Sequence, residues 1–235
     1  MPGEMRDILG RDGNWGDRFM RQVRVGFIGD SITHGTGDAA LLGWTIRLGQ
    51  AERPKGVDLV VYNLGVRADT TELADARWEA EAMARLSPAF PTATVFALGI
   101  NDTAVDNNAA TQANRVPLDA SLTLMAKMVN AASRFGRTCW VGPTPVIEAM
   151  MPVSPVPALS FSFDNATIAR YNDAYKAAAR QMGLAYLDLF SSLSTDAEFL
   201  DSLKASDGLH PEGRGYEIMA GRIGAWDGWR TLLKA

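Results

Sequence analysis

Short, almost unbroken apolar runs alternate along the chain with longer stretches in which apolar residues recur at helical spacing. The runs are Val23–Gly29, Val57–Tyr62, Ala93–Leu98, Thr138–Val141 and Leu184–Leu187. A strand with one face in water alternates apolar and polar side chains, so runs apolar at most positions predict strands covered on both faces. Between them the period predicts helices over Ala39–Ala51, Thr71–Leu86, Pro117–Arg134, Asn165–Met182 and Pro211–Ala225. In the second helix Leu73, Ala76, Ala80, Met83 and Leu86 are spaced to form an apolar face, with Thr70 or Thr71 as N-cap. The fourth opens after Asp164-Asn165 and stops at Gly183.

This β-α rhythm predicts an α/β fold, a parallel sheet with helices on both faces. No composition shift, linker or repeat divides the chain, so a single domain over 1–235 is expected, with residues 1–22 as an N-terminal arm. Two stretches break the rhythm. Asp102–Val116 is polar and weakly periodic; Pro143–Asp164 is apolar, studded with proline and too long for an idle connection. Both follow predicted strands and so belong to the carboxyl edge of the sheet, where open parallel sheets bind ligands.

Composition narrows the partners. The 235 residues are 47% hydrophobic, enough for a sizeable core, and the net charge is −4 with no lysine- or arginine-rich block. Nucleic acid and anionic membrane surfaces are therefore not expected partners. Cys139 is alone, which excludes an intrachain disulfide and leaves a small buried hydrophobe as its reading. No 18-residue apolar run predicts a membrane span, and the first residues lack the apolar core of a secretory signal. A cytoplasmic location is the expectation. Assembly into a homo-oligomer stays open.

The first strand ends in "GDSITHG", which puts Ser31 two residues past the strand, at the carboxyl edge. A serine becomes a nucleophile only beside a base. The chain has two histidines: His34, too close in sequence to turn back on Ser31, and His210 in "SDGLHPEG". Gly208 permits a tight turn that lets Asp207 face His210 and hold its Nδ1–H, leaving Nε2 for the serine proton. Asp207 as a simple turn cap explains the same spacing, and Asp188 is an alternative partner. Acyl transfer further requires donors for an oxyanion. Gly65 in "NLGV" and Asn101 in "GIND" stand at the next two strand ends, beside the Ser31 amide, although each also reads as ordinary strand-end chemistry.

"GDSIT", "NLGV", "GIND" and "DGLHP" occur in the order and near the spacing of the four motif blocks of the GDSL esterases and lipases, the SGNH hydrolases. The resemblance runs from Val23 to Gly213. It implies a three-layer α/β/α sandwich, flavodoxin-like, around a five-stranded parallel sheet, with Ser31 as nucleophile, His210 as base and Asp207 as its partner. It implies Gly65 and Asn101 as oxyanion donors beside the Ser31 amide, and neither a metal nor an organic cofactor. Many family members carry glycine where this chain has Ala68, before Asp69, which predicts a slightly different loop path there.

The rivals are weaker. "GTGDAA" fits a dinucleotide glycine pattern but begins six residues past the strand, and no acidic residue ends the second strand. The lipase elbow G-x-S-x-G is absent, as is zinc-ligand spacing. The expected substrate is a small ester, with short acyl chains preferred; acyl transfer, a carbohydrate acetylester or a non-catalytic binding module are the alternatives. Met150–Phe163 is the candidate wall of an acyl or aryl pocket. Asp30, Asp102, Pro145, Val146, Met150 and Met151 are the candidate substrate contacts.

Overall fold

The computed structural model describes residues 20–156 and 158–234. In chain order the first half carries β1 (Arg21–Gly29), α1 (Ser31–His34), α2 (Gly43–Glu52), β2 (Val57–Gly65), α3 (Thr71–Asp75), α4 (Trp78–Met83), β3 (Thr92–Ala97) and β4 (Val105–Asp106). Then come α5 (Leu118–Ala132), β5 (Arg137–Val141), β6 (Val153–Val156), β7 (Leu159–Ser162), α6 (Asn165–Met182) and β8 (Ala185–Leu187). Four helices close the chain: α7 (Leu189–Leu193), α8 (Ala197–Lys204), α9 (Gly213–Ala225) and α10 (Asp227–Leu232). Residues 1–19 of the expected N-terminal arm lie outside the described residues, and its last two, Arg21 and Gln22, are already strand.

All five expected strands pair in one parallel sheet of order β2-β1-β3-β5-β8. Successive side chains leave a strand on opposite faces, so an unbroken apolar run feeds two cores. Val95 and Cys139 enter one layer with Trp44, Leu48, Tyr216 and Trp229; their chain neighbours Phe96 and Trp140 enter the other with Trp78, Met125 and Tyr175. Cys139 is buried, and desolvation pushes its thiol up to about 12, which leaves it chemically quiet. No helix among the described residues is long and apolar enough to cross a membrane.

Two helix expectations are corrected, and the two long segments gain a structure of their own. The helix expected from Ala39 begins at Gly43, because the Asp38 carboxylate accepts from the amides of Ala40, Leu42 and Gly43 and holds them in a turn. The stretch 71–86 is two helices, capped by Thr70, and its buried face is Ala74, Trp78, Ala82 and Leu86. Leu73 and Met83 are exposed, since the large Trp78 ring sets the phase against Phe96, 5.2 Å away between ring centres. The long segments are not structureless: β4, β7 and β6 form a second, antiparallel sheet.

The order of the main sheet places the site. The chain leaves β1 toward β2 on one side, then crosses back to β3 on the other. That reversal opens a crevice at the carboxyl ends of β1 and β3, the place where doubly wound sheets receive ligands. Ser31 follows β1 there and Asn101 follows β3.

Candidate active site

Ser31 is the first residue of the four-residue α1. Asp30 caps it, accepting from the Ile32 amide at 2.9 Å, and Gly35 ends it in the left-handed conformation, φ +94°. The nucleophile candidate is thus held on a turn stapled at both ends.

His210 arrives from the other end of the chain. Gly208, at φ +82°, reverses the backbone so that Asp207 Oδ1 accepts from the amides of both Leu209 and His210. Its other oxygen, Oδ2, lies 2.7 Å from His210 Nδ1, and His210 Nε2 lies 2.7 Å from Ser31 Oγ. Burial alone raises the Asp207 carboxyl, but hydrogen bonds and charge from His210 outweigh it and bring it to about 2. The carboxylate is therefore ionised and can only accept, so Nδ1 carries the proton in the neutral ring and Nε2 accepts from the serine hydroxyl. Ser31 and His210 are both buried. His34 is exposed and faces Thr36, while Asp188 is engaged by Asn172, Lys176 and Ser191, which removes it as an alternative partner.

Asn101 lines the cleft beside Ser31. One Nδ2 proton goes to the Asp69 carbonyl at 3.0 Å, fixing the amide and leaving the second N–H as an available donor. Gly65 is a correction. Its N–H goes to Asn63 Oδ1 at 3.0 Å, it does not line the cleft, and a Cβ there would meet His34 N at 2.3 Å. The glycine lets the end of β2 pack on α1. Arg67 and Ala68 line the cleft instead. Ala68 sits at φ +65°, a left-handed conformation unusual for alanine, and its N–H has no hydrogen-bond partner among the described residues. The alanine takes the left-handed conformation that glycine favours.

The cleft encloses about 680 Å³. Its apolar wall is the second sheet, through Val153, Val156, Leu159 and Phe161, flanked by Met150 and Phe163 just outside those strands. Among the candidate substrate contacts, Met150 lines it. Asp30, Asp102, Pro145, Val146 and Met151 do not. Asp102 is buried and holds Thr71, Ser121 and Tyr175 rather than the cleft; burial raises its carboxyl against those donors. Asp30 is buried beneath α1, Val146 packs into the core, and Met151 packs against it. Arg67 was not signalled; Phe161 falls within the expected wall Met150–Phe163, and Ala68 stood out only for its loop path, because a positive φ at alanine leaves no composition trace.

A family model described as the GDSL-like Lipase/Acylhydrolase family matches residues 27–218. Among solved structures, the chain is similar to a lipase/acylhydrolase from Enterococcus faecalis at 20% identity and TM-score 0.67, covering 92% of this chain and 96% of that one. A lipolytic protein of the G-D-S-L family from Veillonella parvula matches at 18% and 0.64, covering 86% and 96%. An acetylxylan esterase from Geobacillus stearothermophilus matches at 21% and 0.63, covering 85% and 91%. No curated protein matches the chain by sequence.

Proposed function

The chain belongs to the GDSL-like lipase/acylhydrolase family and is a carboxylic ester hydrolase, and from that premise we propose that it cleaves its ester through Ser31, His210 and Asp207. The observation that carries this reading is the unbroken relay Asp207–His210–Ser31, 2.7 Å at each step, opening on an apolar cleft.

His210 Nε2 takes the Ser31 proton as Oγ attacks the acyl carbon. Asp207 keeps the ring in the required tautomer and faces the imidazolium that forms. The Ser31 amide, the Ala68 amide and the free Asn101 N–H receive the oxyanion, Ala68 taking the place expected of Gly65. His210 then protonates the departing alcohol, and water repeats the sequence on the acyl-enzyme. The acyl group lies along the apolar wall. A cleft of about 680 Å³ with large apolar side chains in its lining is more than an acetyl group fills, which supports acyl esters from short to medium chain length as substrates.

Aryl esters with acyl chains of two to twelve carbons test this, with Ser31→Ala as control. Hydrolysis that disappears in Ser31→Ala, with a phosphonate adduct on Ser31 of the parent chain, supports the reading. Undiminished hydrolysis in Ser31→Ala sinks it.

A further inference from the structure

Arg115 stands in the polar stretch between Asp102 and Val116, outside every motif block. Its backbone is tied down, the amide donating to the Ala104 carbonyl at 2.9 Å, and its side chain is partly buried. From there the guanidinium does two things. Nη1 donates to the Ala68 carbonyl at 2.9 Å, and the plane lies over the Phe161 ring, 5.1 Å from its centre. It therefore bridges the strap that carries the Ala68 amide and the wall that receives the acyl group.

The strap calls for such a hold. Alanine disfavours the left-handed region because its Cβ crowds the following carbonyl, so Ala68 at φ +65° persists only if its surroundings fix it. On the Asp69 side they do: Asn101 donates to the Asp69 carbonyl, and Arg77 Nε donates to its carboxylate at 2.7 Å. Among the described residues, Arg115 is the side chain that holds Ala68's own carbonyl. The Ala68 carbonyl shares its peptide plane with the Asp69 N–H, which donates to the Val66 carbonyl at 3.2 Å, so with Arg115 on the carbonyl that plane is held from both ends and the rotation about Ala68 that sets the direction of its own N–H is restricted.

We propose that Arg115 is a positioning residue for the oxyanion: it locks Ala68 in the left-handed conformation that keeps the Ala68 N–H turned to the cleft. This rests on the serine-esterase reading above and adds to it the device that sets one donor. Its contact with Phe161 makes the same guanidinium the joint between transition-state stabilisation and the acyl wall.

A double-mutant cycle tests it, using Arg115→Gln with and without Ala68→Gly, and acetyl and octanoyl aryl esters. Glycine enters the left-handed region freely, so the arginine is needed less in that background. Arg115→Gln in the otherwise unchanged chain is expected to lower kcat about 10- to 100-fold on both esters with KM within about threefold, a partial loss of one oxyanion donor. In the Ala68→Gly background the same change is expected to lower kcat at most about threefold. Equal losses in the two backgrounds overturn the proposal, as does a rise in KM with kcat unchanged, which would make Arg115 a wall residue only. If Arg115→Gln lacks a cooperative thermal transition, Arg115→Lys takes its place in the same cycle. Ser31→Ala separates the failures: hydrolysis surviving there overturns the serine mechanism itself, whereas its loss alongside an additive cycle overturns only the role of Arg115.

Discussion

The two sides of the cleft are built on opposite principles. On one side, the candidate chemical groups sit one turn beyond the ends of the main sheet or on the Asp207–His210 turn, each fixed by hydrogen bonds: Asp30 and Asp207 within their own turns, Asn101 across to the Asp69 carbonyl. On the other side, the wall is a three-stranded sheet of two- to four-residue strands, its β6–β7 register irregular between Val153 and Val156. Val156 and Leu159 are 49% and 41% exposed there. The difference teaches that reaction geometry is tied to strands whose positions the whole core dictates. The apolar wall rides on a small separate sheet, joined to the rim through the Arg115 guanidinium over the Phe161 ring.

The sharpest attempt to break that division is to remove the relay. Ser31→Ala is expected to lower kcat by about 10⁴–10⁶, and Asp207→Asn by about 10⁴ because the ring loses its tautomer control, equally for every acyl length. Next, Asn101→Ala is expected to cost about 10²–10³ in kcat with KM nearly unchanged, again independent of chain length. Steady-state kinetics on the acyl series check both; a loss that grows with chain length would mean the rim also reads the acyl group. Phe161→Ala asks the reverse question. It is expected to lower kcat/KM about tenfold for an octanoyl ester while leaving the acetyl ester within about twofold, from the apolar area removed. Equal losses on the two esters would dissolve the comparison.

The same division decides what the sequence revealed. Burial on both faces writes a continuous apolar run, so the five main strands, and the strand ends that carry Ser31 and Asn101, are legible within a few residues. The Asp207–His210 turn is legible because Gly208 and Pro211 constrain so short a span. The wall is not. Its pairing joins Val105 to Ser162, residues far apart in sequence, through strands too short to show a period. The split of 71–86 escaped for a related reason: Arg77 turns to the carbonyls of Gly29 and Leu64, a long-range demand absent from the local pattern. Gly65 misled because a glycine at a strand end reads the same whether a substrate or a neighbouring turn needs the space.

The smallest effect tests where the titratable groups lie. The wall residues that line the cleft, Met150 to Phe163, include none that ionise, whereas the rim holds two aspartates shifted in opposite directions. Asp207 is lowered to about 2 and so adds stability above its ordinary 3.8, lost only as pH falls toward 2. Burial raises Asp30 from 3.8 to about 7, opposed by the Ile32 amide and the charge of His210. A group raised on folding favours the native state fully below 3.8, and that contribution is lost as pH rises through 7. Asparagine can still accept from the Ile32 amide but cannot ionise. Asp30→Asn is therefore expected to lose less Tm between pH 5 and pH 8 than the parent chain does, by a few degrees. Phe161→Ala, carrying no titratable change, is expected to shift Tm by the same amount at both pH values. Thermal unfolding of the three chains at the two pH values checks this. Parallel pH slopes for the parent chain and Asp30→Asn would show that the buried carboxyl next to Ser31 keeps its proton affinity unchanged on folding.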